Sequence, residues 1–202
     1  MSEQPASPTL SVTAIRWLLR GVSGALLGAA CTWISIAAAP GFVGVCGALL
    51  ALLMMAIAVS DLRRYIVPDY LTLAGLGVGL LHAAAGHAAG HEPVWAIAAA
   101  GMRGAIVGGA FLILRQGYAR LRGRQGLGLG DVKLAGVAGV WLDWSALPLA
   151  IEFAAVTALG AYLIRHLVFR RPLLANEWIP FGFFLAPAIW ICWLLQVAVL
   201  GS

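Results

Sequence analysis

Charge is scarce in this chain: Asp, Glu, Lys and Arg make up 10% of its 202 residues, where a soluble domain averages about 25%. With a mean hydropathy of +0.94, that scarcity excludes an ordinary soluble domain. Short alternating polar–apolar segments are missing too, and the apolar runs are long and continuous, which excludes an outer-membrane barrel. There is no CxxC pair. The three cysteines, Cys31, Cys46 and Cys192, sit inside apolar runs and read as small buried hydrophobes, so neither a disulfide framework nor a zinc site is implied. A P-loop is absent, no metal or other cofactor is expected, and the net charge of +5 comes with no nucleic-acid motif. What remains is an all-α, polytopic membrane bundle, whose helices satisfy their own backbone in lipid.

About 20 apolar residues cross a bilayer core, and counting such runs divides the chain. Residues 1–11 form a polar, disordered tail, and 12–202 a single domain without internal repeat. Helices are predicted over Trp17–Ala38, Phe42–Ser60, Tyr70–Ala89, Val94–Leu114, Ala146–Phe169 and Phe181–Leu200. The first reads as a retained signal-anchor. Arg115–Gly130 reads as a polar loop, and Val132–Trp141 as a short fifth element of about half the spanning length. Short or re-entrant helices are tolerated in a membrane where protein surrounds them.

Basic residues orient the bundle. With a cytoplasmic N-terminus and seven crossings, the inside loops hold twelve of the 13 Lys and Arg residues: Arg16, Arg20, Arg63, Arg64, Arg115, Arg120, Arg122, Arg124, Lys133, Arg165, Arg170 and Arg171. The outside turns hold none, a clean positive-inside split. It requires the short fifth element to cross, since otherwise Arg165, Arg170 and Arg171 would lie outside. The inside arginines also suit anionic lipid.

The remaining charges carry the functional reading. Ionisable groups within membrane helices are expensive and mark sites or paired bridges. Arg103 and Glu152 lie in the fourth and sixth helices at similar depth and read as a structural ion pair. His82, His87 and His91 cluster towards the outer end of the third helix, a minor metal possibility. Asp61 ends the second helix, and Asp131 follows the glycine run Gly126-Leu127-Gly128-Leu129-Gly130. Under the charge-derived topology both acids fall at the cytoplasmic face. Two carboxylates there could share a proton and hydrolyse an amide, one activating water while the other hydrogen-bonds the carbonyl. The plainer alternatives are that Asp131 caps a helix and that Asp61 is an interfacial charge. Asp69 reads as the cap of the third helix.

Three segments sharpen this. Ser60-Asp61-Leu62 followed by Pro68-Asp69-Tyr70-Leu71-Thr72-Leu73, then Gly128-Leu129-Gly130-Asp131-Val132-Lys133-Leu134, then Ile179-Pro180-Phe181-Gly182 resemble, in order, the aspartate-PDxLTL, GxGDxKL and IPFG elements of type IV prepilin peptidases. The resemblance implies an intramembrane aspartic endopeptidase of the bacterial inner membrane, with Asp61 and Asp131 catalytic. It also implies that Pro68, Asp69, Gly128, Gly130, Lys133, Pro180 and Gly182 bind substrate or shape the site. The substrate implied is a prepilin or pseudopilin, cut after a glycine between a basic leader and a hydrophobic helix. The cysteine-rich insert of the bifunctional members, which lies between their first two helices, is missing; only Pro40-Gly41 stands there. The resemblance therefore does not extend to N-methylation. Competing classes are a small proton-coupled transporter relaying through Arg103 and Glu152, and a presenilin-type GxGD protease. The transporter reading is opposed by the missing repeat, the presenilin reading by the PDYLTL element.

Overall fold

The computed structural model describes residues 12–86, 93–123, 126–169 and 180–200, and every regular element among them is a helix. They are α1 (Val12–Ala38), α2 (Phe42–Arg64), α3 (Asp69–Gly86), α4 (Pro93–Arg122), α5 (Leu129–Trp141), α6 (Ala146–Phe169) and α7 (Phe181–Leu200). Stretches of α1, α2, α4, α6 and α7 are long and apolar enough to cross a membrane. The expected tail 1–11 lies outside the described residues, as do His87 and His91.

Three of the boundaries that differ from the sequence expectation bear on the site. Helix α2 runs on through Asp61 to Arg64, so the acid lies within the helix and not at its edge. Helix α4 continues through Arg122; its last two turns are polar, so a count of apolar residues ends too early. Helix α5 starts at Leu129, which places Asp131 in its first turn.

Helix α5 organises the rest. Its 13 residues extend only about 20 Å, short of the roughly 30 Å hydrocarbon core, so protein must cover it. It packs against α3, α4 and α7, and Leu134, Ala135, Val137, Ala138, Val140 and Trp141 are all buried. The α4 contact is backbone to backbone. A Cβ on Gly139 would stand 2.8 Å from the Arg103 carbonyl oxygen and the Gly104 Cα, and one on Gly104 would stand 2.9 Å from the Gly136 oxygen. Close approach of this kind drives helix association where lipid is as apolar as the side chains. The far end of α5 reaches the level of Gln196 on α7, whose Oε1 accepts a bond from the Asp143 N–H at 2.9 Å.

Two tryptophans fill the centre. Trp141 donates its ring N–H to the Gly75 carbonyl at 2.8 Å, and Trp193 donates to His82 Nε2 at 3.2 Å. The His82, Trp141 and Trp193 rings lie 5.0 to 6.4 Å apart. His82 is thus an aromatic-cluster residue, and among the described residues no group of three or more His, Cys, Asp or Glu is placed to hold a metal.

The expected Arg103–Glu152 pair is not formed. Arg103 instead pairs with Asp143 at 3.6 Å and donates from Nε to the Gly139 carbonyl at 3.3 Å. Glu152 is exposed on α6, whose main neighbour is α7. Similar depth in two helices does not make them adjacent, and α5 stands beside α4 instead. Arg103, Asp143, Gln196 and His82 line a cavity of about 190 Å³ at the end of the bundle away from Asp61.

Gly47 gives the fold a direct check. A Cβ there would overlap the Trp193 ring at 1.8 Å, and Trp193 is fully buried. Gly47→Ala is expected to destabilise the protein by about 1–3 kcal/mol through overpacking, read as a lowered midpoint of thermal unfolding in detergent.

Candidate active site

One end of the bundle gathers the C-terminal end of α2, the start of α3 and the N-termini of α5 and α7. Helix α2 closes with Tyr65 in the left-handed region (φ 55°), and the Tyr65 N–H bonds the Asp61 carbonyl at 2.8 Å. A side chain in that backbone region is strained, and the turn it makes directs Val67 and Pro68 back under the bundle. Val67 is buried against Gly130, where a Cβ would lie 2.6 Å from its methyl group. Gly130 thereby lets the first turn of α5 sit on the α2–α3 connection.

Asp61 is only 7% exposed. Its carboxylate accepts hydrogen bonds from the backbone N–H groups of Gly182 and Phe183, the second at 2.9 Å to Oδ2. These are orphan donors in the first turn of α7. An acid on α2 therefore caps a helix that lies 122 positions further along the chain, in favourable alignment with its dipole. Gly182 makes room: a Cβ would stand 2.9 Å from Asp61 Oδ2 and 3.1 Å from its Cγ. Pro180, just ahead of the helix, accepts from the Phe183 N–H at 3.1 Å.

Asp131 lies in the first turn of α5, and its Oδ2 accepts from the Gly128 N–H at 3.1 Å. Asp131 is therefore not the N-cap expected for this helix; Gly128 holds that position, and the Asp131 carboxylate reaches back to its N–H from the third position. Leu134, one turn along α5, touches the same Gly182 that abuts Asp61. The glycine run ahead of Asp131 is held by α4, where Arg115 Nε donates to the Leu127 carbonyl at 3.2 Å and the Tyr118 ring lies where a Cβ on Gly126 would be. Reading 115–130 as a loop missed both residues. Continuing the helical period of α4 past Leu114 brings Arg115, Tyr118 and Arg122 to one side.

The remaining singled-out residues are near but separate. Lys133 forms an ion pair with Asp69. Asp69 is the first residue of α3 and not its cap; Thr72 there bonds the Pro68 and Asp69 carbonyls, each at 3.0 Å. Arg103 and Glu152 take no part.

The sequence places this arrangement among known proteins. Over 162 residues it is 32% identical to a prepilin leader peptidase/N-methyltransferase of Aeromonas salmonicida, covering 78% of this chain and 52% of that protein. A prepilin leader peptidase/N-methyltransferase of Burkholderia pseudomallei is 37% identical over 171 residues, 84% of this chain and 51% of its own. The leader peptidase HopD of Escherichia coli is 43% identical over 86 residues, 42% of this chain and 55% of that one. The chain spans about half the length of these relatives. Among solved structures none matches significantly. Residues 48–164, which include both aspartates and more than half of the sequence, match the type IV leader peptidase family, and the chain belongs to that family.

Proposed function

We propose that this protein is an aspartic leader peptidase that cuts prepilin-type precursors at the cytoplasmic face of the inner membrane. The observation that supports it most directly is the meeting of Asp61 and Asp131 at one end of a membrane bundle, each held by backbone N–H donors. In the proposed reaction the ionised carboxylate takes a proton from water as the water oxygen attacks the scissile carbonyl. The protonated partner hydrogen-bonds the carbonyl oxygen as charge develops there, and the tetrahedral intermediate collapses with proton transfer to the leaving amine. In the proposed mechanism the two acids share one proton, so neither is assigned alone as base.

The cytoplasmic assignment rests on charge: Arg63, Arg64, Arg115, Arg120, Arg122 and Arg165 all belong to the Asp61 end of their helices, and the positive-inside rule puts that end in the cytoplasm. The substrate follows from the relatives' names and from the resemblance: a basic leader, a glycine, then an apolar helix. N-methylation is not part of the proposal. The proton-relay alternative loses its basis, because Arg103 and Glu152 are apart.

The deciding experiment is cleavage of a purified precursor by purified variants. Asp61→Asn and Asp131→Asn should each lower kcat by at least about a thousandfold, with the bundle still folded by circular dichroism. Retention of cleavage by both would end the aspartic reading. Gly182→Ala tests the mooring of Asp61. The added methyl displaces the carboxylate from its N–H donors, so kcat should fall by about tenfold or more, with KM for the same precursor little changed.

A further inference from the structure

A groove of about 530 Å³ opens between α3, α4 and α5, beside the candidate active site. Val132 and Lys133, the two residues after Asp131, form part of its wall, so it begins at the aspartate end. Along α3 it extends from Asp69 to Leu80, which at 1.5 Å per residue is about 16 Å. Leu73, Leu76 and Leu80 make one wall apolar, and Gly101 and Ala105 on α4 present almost no side chain. The charged groups of its lining, Asp69 and Lys133, are paired with each other at one end. The Asp69 side chain there is 74% exposed.

Resting on the leader-peptidase reading, we infer that this groove holds the apolar helix that follows the scissile bond of the precursor. Three features select that occupant. The groove is continuous with the first turn of α5, so a helix lying in it delivers its N-terminal end to Asp131. Its small-residue floor lets a helix backbone approach closely, the means by which helices associate in lipid. Its one polar end carries the Asp69 carboxylate, exposed and paired with Lys133, on the side from which a basic leader would arrive, and a leader lysine that takes the place of Lys133 there fixes the register of the chain. The helix anchors the substrate while Asp69 meets the leader, and the extended junction between them passes the acids.

Groove-filling variants test this. Space is available for them: a Cβ on Gly101 meets only the Leu80 methyl, at 3.9 Å, and Ala105 is exposed. Gly101→Leu and Ala105→Trp are assayed on two synthetic precursors. One has a lysine-rich leader, a glycine and an apolar helix of about twenty residues; the other stops a few residues beyond the glycine. The expected result is a KM for the long precursor raised about tenfold or more, with at least fivefold less effect on the short one. Equal effects on both, or none on either, would overturn the inference and leave the groove to lipid chains, while the peptidase reading stands. Wild-type protein that cleaves neither precursor would defeat both.

Cross-linking gives a readout independent of turnover. Leu73→Cys in an Asp131→Asn chain should form a disulfide with a cysteine in the precursor's apolar helix, and Val156→Cys on α6 should not. Equal cross-linking at both positions, or none at Leu73, counts against the groove.

Discussion

A helix of thirteen residues cannot cover its own ends in a bilayer, and the placement of α5 follows from that shortfall. It must be enclosed by protein, so α3, α4 and α7 surround it and the glycines at 104, 136 and 139 bring α4 within backbone contact. Enclosure has a geometric result. The first turn of α5, which carries Asp131, runs directly into the buried stretch that begins at Leu134, while α6 packs chiefly on α7. The acid therefore inherits the rigidity of the core and not the mobility of a membrane surface. Precision of this kind is what chemistry between two side chains requires.

The polar groups divide between the two ends of the bundle by function. At one end Asp61, Asp131, Lys133 and Asp69 surround the starts of α3, α5 and α7. At the other, Arg103 ties α4 to the α5–α6 connection through Gly139 and Asp143, and Gln196 closes the same connection from α7. A buried charge is expensive unless paired, and Arg103 gains its pairing by fixing the far end of α5. The short helix is thus held at both termini by groups that would be costly to leave without partners.

Much of this was legible in the residues themselves. The starts and ends of α6 and α7 coincide with the apolar runs. Less legible were features that depend on which helices touch. Arg103 and Glu152 matched in depth, yet depth carries no information on azimuth around the bundle, and the helix packed beside α4 is α5 and not α6. The last turns of α4 were hidden because arginines and a tyrosine carry a helix without raising its hydropathy. The IPFG element stood out as a pattern, but its physical task, supplying two N–H donors and a gap for a carboxylate, depends on a contact that no local reading of the chain contains.

The bond from Asp61 to the first turn of α7 joins α2 to α7. During synthesis the ribosome delivers both aspartates long before Gly182 and Phe183 emerge, and until they do one of the two acids has no donors to orient it. A chain halted after α6 would carry every acidic group of the site and lack its alignment. The order of residues along the polypeptide thereby postpones the completed constellation until α7 has emerged.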